Sequence, residues 1–259
     1  MAPLPPPPPP PPRVPPSPAG TTFARTDFDH AVSRWGIGDA LLSMTLFFTV
    51  SLALGLAAFA VIDGDVLTGA WLPAVVIVPP LIQLGHVTWV ARARGAGLAA
   101  DFGLRPKFSD AAVGAALCVA GLILAGITAS IVFELLDREP TASAAELVEE
   151  SEGGNGLTVW IFAFAFLAAT LVPLVEELVY RGLWWSALEK RGLHPVAILF
   201  VTSGIFAVVH LEPIRTPVLF VLGLAIGLGR LVTGRIGASI VAHMFVNAIG
   251  MLFLLIDLA

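Results

Sequence analysis

The sequence is poor in charge and nearly lacks cysteine. Only 13% of its 259 residues are charged, while 57% are hydrophobic. Soluble domains usually carry about 25% charged residues, so this composition excludes an ordinary soluble domain and predicts a membrane protein. The single cysteine, Cys118, excludes an intrachain disulfide and a cysteine-based metal site, and we expect it to be a packing residue. The net charge of −5 gives no indication of a nucleic-acid partner.

The chain contains long apolar runs, and several approach the ~20 residues that a helix needs to cross a bilayer. We therefore predict an all-α, polytopic transmembrane helix bundle of about seven spans. The predicted spans are 40–62, 70–91, 111–136, 157–188, 195–211, 217–232 and 236–256. The fourth is long enough to be one helix or two. Pro173 is the expected kink or break, because proline lacks the backbone donor and clashes one turn back.

The chain divides by composition into four regions. Residues 1–22 hold twelve of the twenty-one prolines and predict a disordered, Pro-rich cytoplasmic tail. Residues 23–36 alternate aromatic and charged residues and predict an interfacial amphipathic segment. Residues 37–140 would form the N-terminal transmembrane helices, and 157–257 a C-terminal transmembrane core.

The basic residues crowd on alternate sides of the predicted spans. One side carries Arg13, Arg25, Arg34, Arg92, Arg94, Arg105, Lys107, Lys190, Arg191, Arg230 and Arg235. The opposite loops carry only Arg138 and Arg215, together with nine of the nineteen acidic residues. Because lysine and arginine favour the cytoplasmic side, we expect a multi-pass cell-membrane protein with its N-terminus cytoplasmic and its C-terminus external.

Three polar clusters interrupt the C-terminal spans, and ionisable groups inside a bilayer need a functional reason. The first, EELVYR, places Glu177 and Arg181 on one helical face, where they can form an ion pair. Glu176 points in another direction, with Tyr180 beside it. An apolar setting favours the neutral form of a carboxylate, which suits a group that takes and returns a proton. A packing network remains a fair alternative for Glu177 and Arg181.

The second and third clusters, FAVVH and HMFVN, place Phe206 with His210 and His243 with Asn247, each pair one helical turn apart. Phe206 can wall one side of the His210 imidazole. His243 and Asn247 can both donate hydrogen bonds towards a common point, or can hold helices together instead. Counted from the charged helix ends, His243 lies roughly 7–12 Å shallower than the other clusters, which helix tilt or a later start of the last span must absorb.

In order and spacing the three clusters resemble the signature of the CPBP family, the type II CAAX prenyl endopeptidases and their bacteriocin-processing relatives. That signature is Glu-Glu-x-x-x-Arg, Phe-x-x-x-His and His-x-x-x-Asn, and the likeness covers about 157–256. The resemblance implies an intramembrane endopeptidase, with Glu176 as general base, His210 as its partner in orienting water, and His243 with Asn247 as oxyanion donors. It assigns Glu177, Arg181 and Phe206 supporting roles, and makes 157–257 a CPBP-like catalytic core.

The cofactor, the substrate and the function class stay partly open. If a metal such as Zn²⁺ is present, Glu176, His210 and His243 would hold it, although a metal-free mechanism fits the asparagine better. The expected partners are the lipid bilayer and a membrane-embedded or membrane-proximal peptide. The Ala, Gly, Val and Arg bias indicates a bacterial genome, where prenylated substrates are not expected. The alternatives are a non-catalytic scaffold that regulates a signalling partner and a proton- or ion-coupled transporter.

Overall fold

The computed structural model describes residues 34–61, 69–137 and 157–259, and these ranges contain helices and no strand. The predicted tail 1–22 and most of the predicted amphipathic segment 23–36 lie outside them. The helices are α1 Ile37–Val61, α2 Trp71–Arg94, α3 Leu98–Asp101, α4 Phe108–Leu136, α5 Val159–Ala169, α6 Leu171–Glu177, a π-helical segment Leu178–Trp184, α7 Trp185–Glu189, α8 Pro195–Val209, α9 Thr216–Thr233 and α10 Gly237–Asp257. The predicted all-α fold is confirmed.

Within the described ranges, six helical segments are long and apolar enough to cross a membrane, and α8 is shorter. Its 15 residues rise about 22 Å, which falls short of the ~30 Å hydrocarbon core. The predicted span 195–211 is therefore an apolar helix that does not cross by itself. Large apolar side chains such as Leu52, Phe59 and Leu135 are exposed on the outside of the bundle, as expected of surfaces that face acyl chains.

The fourth span breaks at Thr170, as the proline three residues later predicts. Pro173 has no N–H for the carbonyl of Ala169, and its ring would clash there. The neighbouring carbonyls at the end of α5 find other donors: the Thr170 hydroxyl donates to Phe166 O at 2.6 Å, and Thr170 N donates to Leu167 O at 3.3 Å. The span therefore consists of separate α-helical segments that surround the π-helical turns.

One end of the bundle, here called the basic face, is formed by the ends of α2, α7 and α9 and the starts of α4, α8 and α10. Backbone and ion-pair contacts hold these ends together. Arg235 Nη2 lies 2.5 Å from Asp110 Oδ1, and Lys190 Nζ donates to Trp35 O at 3.0 Å while lying over the Trp35 ring. Burial lowers the pKa of the Lys190 ammonium. The opposite face contains the starts of α2 and α5 and the end of α10, which meet through Leu72, Ile161 and Leu254.

A loop on the basic face, residues 102–104, connects the N-terminal helices to the C-terminal core. Phe102 is fully buried, and its carbonyl accepts a hydrogen bond from Arg230 Nη1 at 3.0 Å. Gly103 O accepts from Ile236 N at 3.2 Å, immediately before α10 begins. The loop therefore covers the turn between α9 and α10, and α10 starts beneath it with Gly237 to Ile240 buried.

Candidate active site

The predicted ion pair of the first cluster is present and completely buried. Arg181 Nη1 donates to Glu177 Oε1 at 2.9 Å, and neither side chain is exposed. Arg181 Nη2 also donates to the carbonyl of Gly223 on α9 at 2.6 Å. The glycines of α9 allow a close approach to α8, since a side chain at Gly227 would meet Leu199 at 2.5 Å.

His243 on α10 lies between the two adjacent glutamates and contacts each with a different ring nitrogen. Its Nδ1 is 2.9 Å from Glu177 Oε1, and its Nε2 is 3.5 Å from Glu176 Oε2. The Glu177 carboxylate, paired with Arg181, only accepts, so Nδ1 carries a proton and donates to it. This hydrogen bond fixes the imidazole and turns Nε2 towards Glu176.

Glu176 differs from its neighbour in solvent access. About 20% of its side chain is exposed, whereas the Glu177 side chain is fully buried. The chain folds this way because adjacent residues on a helix point about 100° apart. One carboxylate is therefore enclosed in a salt-bridged network, and the other is partly exposed.

A π-helical segment, Leu178–Trp184, follows the two glutamates directly, and the sequence patterns did not predict it. Its wider turns occur mostly as short insertions at functional sites. All seven residues are buried, and Phe102 packs where a side chain at Gly182 would stand, at 3.0 Å from its Cβ position. This glycine was the one available signal, because only a residue without a side chain lets the loop approach so closely.

The Phe206 and His210 rings pack edge to face one turn apart, with ring centroids 4.7 Å apart, so Phe206 covers one side of this imidazole as predicted. The Phe206 ring also lies 5.5 Å from the His243 ring, so it contacts both imidazoles. His210 Nδ1 is 2.6 Å from the carbonyl of Phe206, which can only accept, so this nitrogen carries the proton. In the neutral imidazole Nε2 is then an acceptor for a hydrogen bond from water.

The residue after His210 has a strained backbone. Leu211 takes φ of 57°, in the left-handed region that costs a residue with a side chain about 1–2 kcal/mol. Its side chain is mostly exposed and makes little contact that could require this conformation. The turn ends α8 at the imidazole and leads the chain into the 212–215 turn.

Asn247 and His243 do not direct their donors to one point in this structure. Asn247 Nδ2 donates to the carbonyl of Ala168 at 2.9 Å, near the end of α5. The last carbonyls of a helix have no partner within it, so the asparagine satisfies one of those left by the break in the fourth span. The predicted oxyanion role of Asn247 would use the second N–H of its amide.

The depth mismatch expected for His243 is resolved by where α10 begins. Ile236 is fully buried beneath the 102–104 loop, so the helix starts well inside the basic face. His243, six residues after Gly237 at the start of α10, therefore reaches the level of the glutamates. The last span begins at Gly237, one residue after its predicted start, so a start deeper in the bundle, and not a later start along the chain, brings His243 to this level.

A cavity of about 520 Å³ contains three of the four predicted catalytic residues. His210, His243 and Asn247 line it, together with Phe206, while Glu176 does not and is joined to it through the contact with His243. Apolar side chains of α9 and α10 form most of its wall, among them Leu219, Leu222 and Leu254. Glu212 and Arg215 were not predicted as site residues, but they line its outer end and form an ion pair of 2.7 Å.

The proposed metal ligands do not form a ready metal site. Among the described residues, no three His, Cys, Asp or Glu side chains are arranged to hold a metal ion. Both nitrogens of His243 face carboxylates, and His210 Nδ1 is used by a backbone carbonyl. Glu176, His210 and His243 thus do not fit the zinc alternative as they stand.

Three other polar groups of the spans pack between or within helices. Gln83 Nε2 donates to Ser43 O on α1 at 3.2 Å, and the Thr202 hydroxyl donates to Ile198 O on its own helix at 2.9 Å. Ser203 faces Gly223 across the α8–α9 contact. Cys118 is a buried residue of α4.

The fold and the site together define a multi-pass α-helical membrane protein with a carboxylate–imidazole site inside the bundle. Residues 158–249 match the family model of the Rce1-like, type II CAAX prenyl endopeptidases, and this match supports membership of the CPBP family. The match covers all three clusters and lies within the range of the predicted resemblance. It supports a CAAX-type intramembrane protease in general. No curated protein and no solved structure matches the chain.

Proposed function

We propose that the protein is an intramembrane endopeptidase that hydrolyses a peptide bond of a membrane-associated substrate with water activated by Glu176 and His210. The observation that carries this proposal is the chain of contacts from Arg181 through Glu177 and His243 to Glu176. It gives one of two adjacent carboxylates a fixed structural role. The other keeps access to water and to an imidazole, as a general base requires.

In the proposed reaction Glu176 takes a proton from the water as the water oxygen attacks the carbonyl carbon of the scissile peptide bond. His210 Nε2 accepts a second hydrogen bond from that water, because its Nδ1 is held as a donor by the Phe206 carbonyl. The proton on Glu176 passes to the leaving amine when the C–N bond breaks. These proton transfers return the enzyme to its starting protonation state.

His243 is positioned to stabilise the negative charge that develops on the carbonyl oxygen. Its Nδ1 is held by the buried Glu177 carboxylate, so its Nε2 faces the Glu176 side, where an Nε2–H would donate to that oxygen. Donors of this kind in a dry site contribute about 2.7–4 kcal/mol when they are already oriented. The second N–H of Asn247 could add to this, while its first holds α5 in place.

The test compares membrane peptides, identified by labelling of new N-termini, from cells that carry wild-type protein, Glu176→Gln or Glu134→Gln. Glu134 is an exposed glutamate of α4, so its substitution is a matched control for the same chemical change. We expect Glu176→Gln to abolish a set of cleavages that Glu134→Gln preserves at equal expression. Cleavage that persists in Glu176→Gln would contradict the proposal and favour the scaffold or transporter alternatives.

A further inference from the structure

We propose that the active-site cavity receives its peptide from the external face of the membrane. Its substrate would then be an externally presented, membrane-proximal segment of a membrane-associated protein, and not a cytoplasmic C-terminal tail. The inference rests on the proposed function for its chemistry. The route of access itself follows from where the cavity lies relative to the charges of the bundle.

The cavity extends from the site in one direction only. From His243 and Asn247 it follows the second half of α10 to Asp257, and it follows the first half of α9 from Ile226 back to Leu219. Its outer end is lined by Glu212 and Arg215, in the turn between α8 and α9. All these parts lie between the site and the face opposite to the basic face.

The two faces differ strongly in positive charge. On the basic face, within the described ranges, lie Arg34, Arg92, Arg94, Arg105, Lys107, Lys190, Arg191, Arg230 and Arg235. Towards the opposite face, in the same part of the chain, the basic residue is Arg215, in the turn after the short α8, and Arg181 lies inside the bundle. Short segments rich in lysine and arginine stay cytoplasmic, so the basic face is cytoplasmic and the cavity opens externally.

The lining of the cavity indicates what the peptide would contribute. The inner wall is apolar, which suits small or apolar residues next to the scissile bond. The Glu212–Arg215 ion pair is about one third exposed on each side chain, so it remains available to a polar or charged flanking residue. A segment that leaves the bilayer at the external surface presents apolar residues to the inner wall and a polar or charged residue to the ion pair.

The route can be tested by labelling introduced cysteines with a membrane-impermeant maleimide in intact cells. Cys118→Ala removes the native thiol. In that background Gly250→Cys places a thiol in the cavity, where a side chain at Gly250 meets no atom within 4 Å, and Arg191→Cys places one on the basic face as the matched control. We expect Gly250→Cys to react in intact cells and Arg191→Cys only after permeabilisation.

Each alternative outcome is informative. Labelling of Gly250→Cys only after permeabilisation, or labelling of Arg191→Cys in intact cells, would overturn the inference. A cavity cysteine that reacts under neither condition would also overturn it, since the cavity would then be closed to the external water. Because labelling needs no catalysis, the same pattern in a Glu176→Gln background separates failure of the route from failure of the proposed chemistry. Cleavages lost in Glu176→Gln should map to external segments, and cytoplasmic sites would contradict the proposed substrate class.

Discussion

At the scale of residues, the first cluster contains two glutamates that are adjacent in sequence but have different surroundings. Glu177 is enclosed by Arg181 and His243, while Glu176 keeps partial exposure and touches only the far nitrogen of the same imidazole. An uncompensated charge inside a protein is costly, so the two positions should respond differently to the same substitution.

We predict that Glu177→Gln destabilises the protein by about 3–5 kcal/mol, because it leaves the buried Arg181 without its counter-ion. Glu176→Gln should cost less than about 1 kcal/mol, as expected for a partly exposed side chain without such a partner, and still abolish cleavage. Denaturant unfolding of the purified protein in detergent measures the first effect, and the peptide assay measures the second. Equal losses of stability in both variants would contradict the division of roles.

The geometry around His243 also leads to a prediction on metal removal. Its two nitrogens face two carboxylates, and no other cluster in the described part of the chain provides three metal ligands. We therefore expect purified protein to retain its cleavage activity after treatment with a chelator and dialysis. Loss of activity that is restored by added zinc, and not by magnesium, would show instead that Glu176 and the histidines rearrange to bind a metal.

At the scale of elements, the 102–104 loop lies outside the segment that matches the family and yet determines how that segment packs. Phe102 contacts Gly182 of the π-helical segment, its carbonyl is held by Arg230, and Gly103 is hydrogen-bonded to Ile236 at the start of α10. These contacts connect the helix that carries the glutamates to the helix that carries His243.

Gly103 is the residue of this loop that tolerates substitution least. Its φ is +68°, and a side chain would collide with the Arg230 guanidinium. We predict that Gly103→Ala costs roughly 2–4 kcal/mol, the sum of left-handed strain and overpacking, and lowers the rate of cleavage. Unfolding and peptide assays measure both effects. Gly126→Ala is the control, since its side chain would meet open space on α4 and should leave activity unchanged.

At the scale of the whole molecule, the bundle has a tightly connected basic face and an opposite face into which the active-site cavity extends. The described contacts of the basic face begin at Arg34, which exchanges backbone and side-chain hydrogen bonds with Arg94, and at Trp35, which packs on Phe102. The Pro-rich segment 1–22 lies before these contacts and outside the family match.

We predict that deletion of residues 2–22 leaves stability and cleavage unchanged, because the contacts that position the site within the described part of the chain involve residues from Arg34 onward. Trp35→Ala is the informative counterpart: it removes a buried ring between Phe102 and Lys190 and should cost about 3–5 kcal/mol. Both are measured by unfolding of the purified variants. A loss of activity on the deletion, at unchanged stability, would show that the Pro-rich segment takes part in substrate binding.

The sequence by itself determined those structural features that depend on a single helix. Low charge and long apolar runs require membrane helices, spacing along a helix pairs Glu177 with Arg181 and Phe206 with His210, and the missing donor of Pro173 ends α5. Backbone geometry alone fixes these relations. They could be stated without knowing how any two helices pack.

Only the tertiary structure decided which groups of different helices meet. The buried start of α10 brings His243 between both glutamates, the broken end of α5 takes the Asn247 amide, and Phe102 fits against Gly182 in the π-helical segment. Contacts between helices depend on their relative depth and rotation, to which residues far apart in the chain contribute. For the same reason the direction of the cavity emerged from the packing of α9 and α10, although the charges that mark the two faces were visible in the sequence.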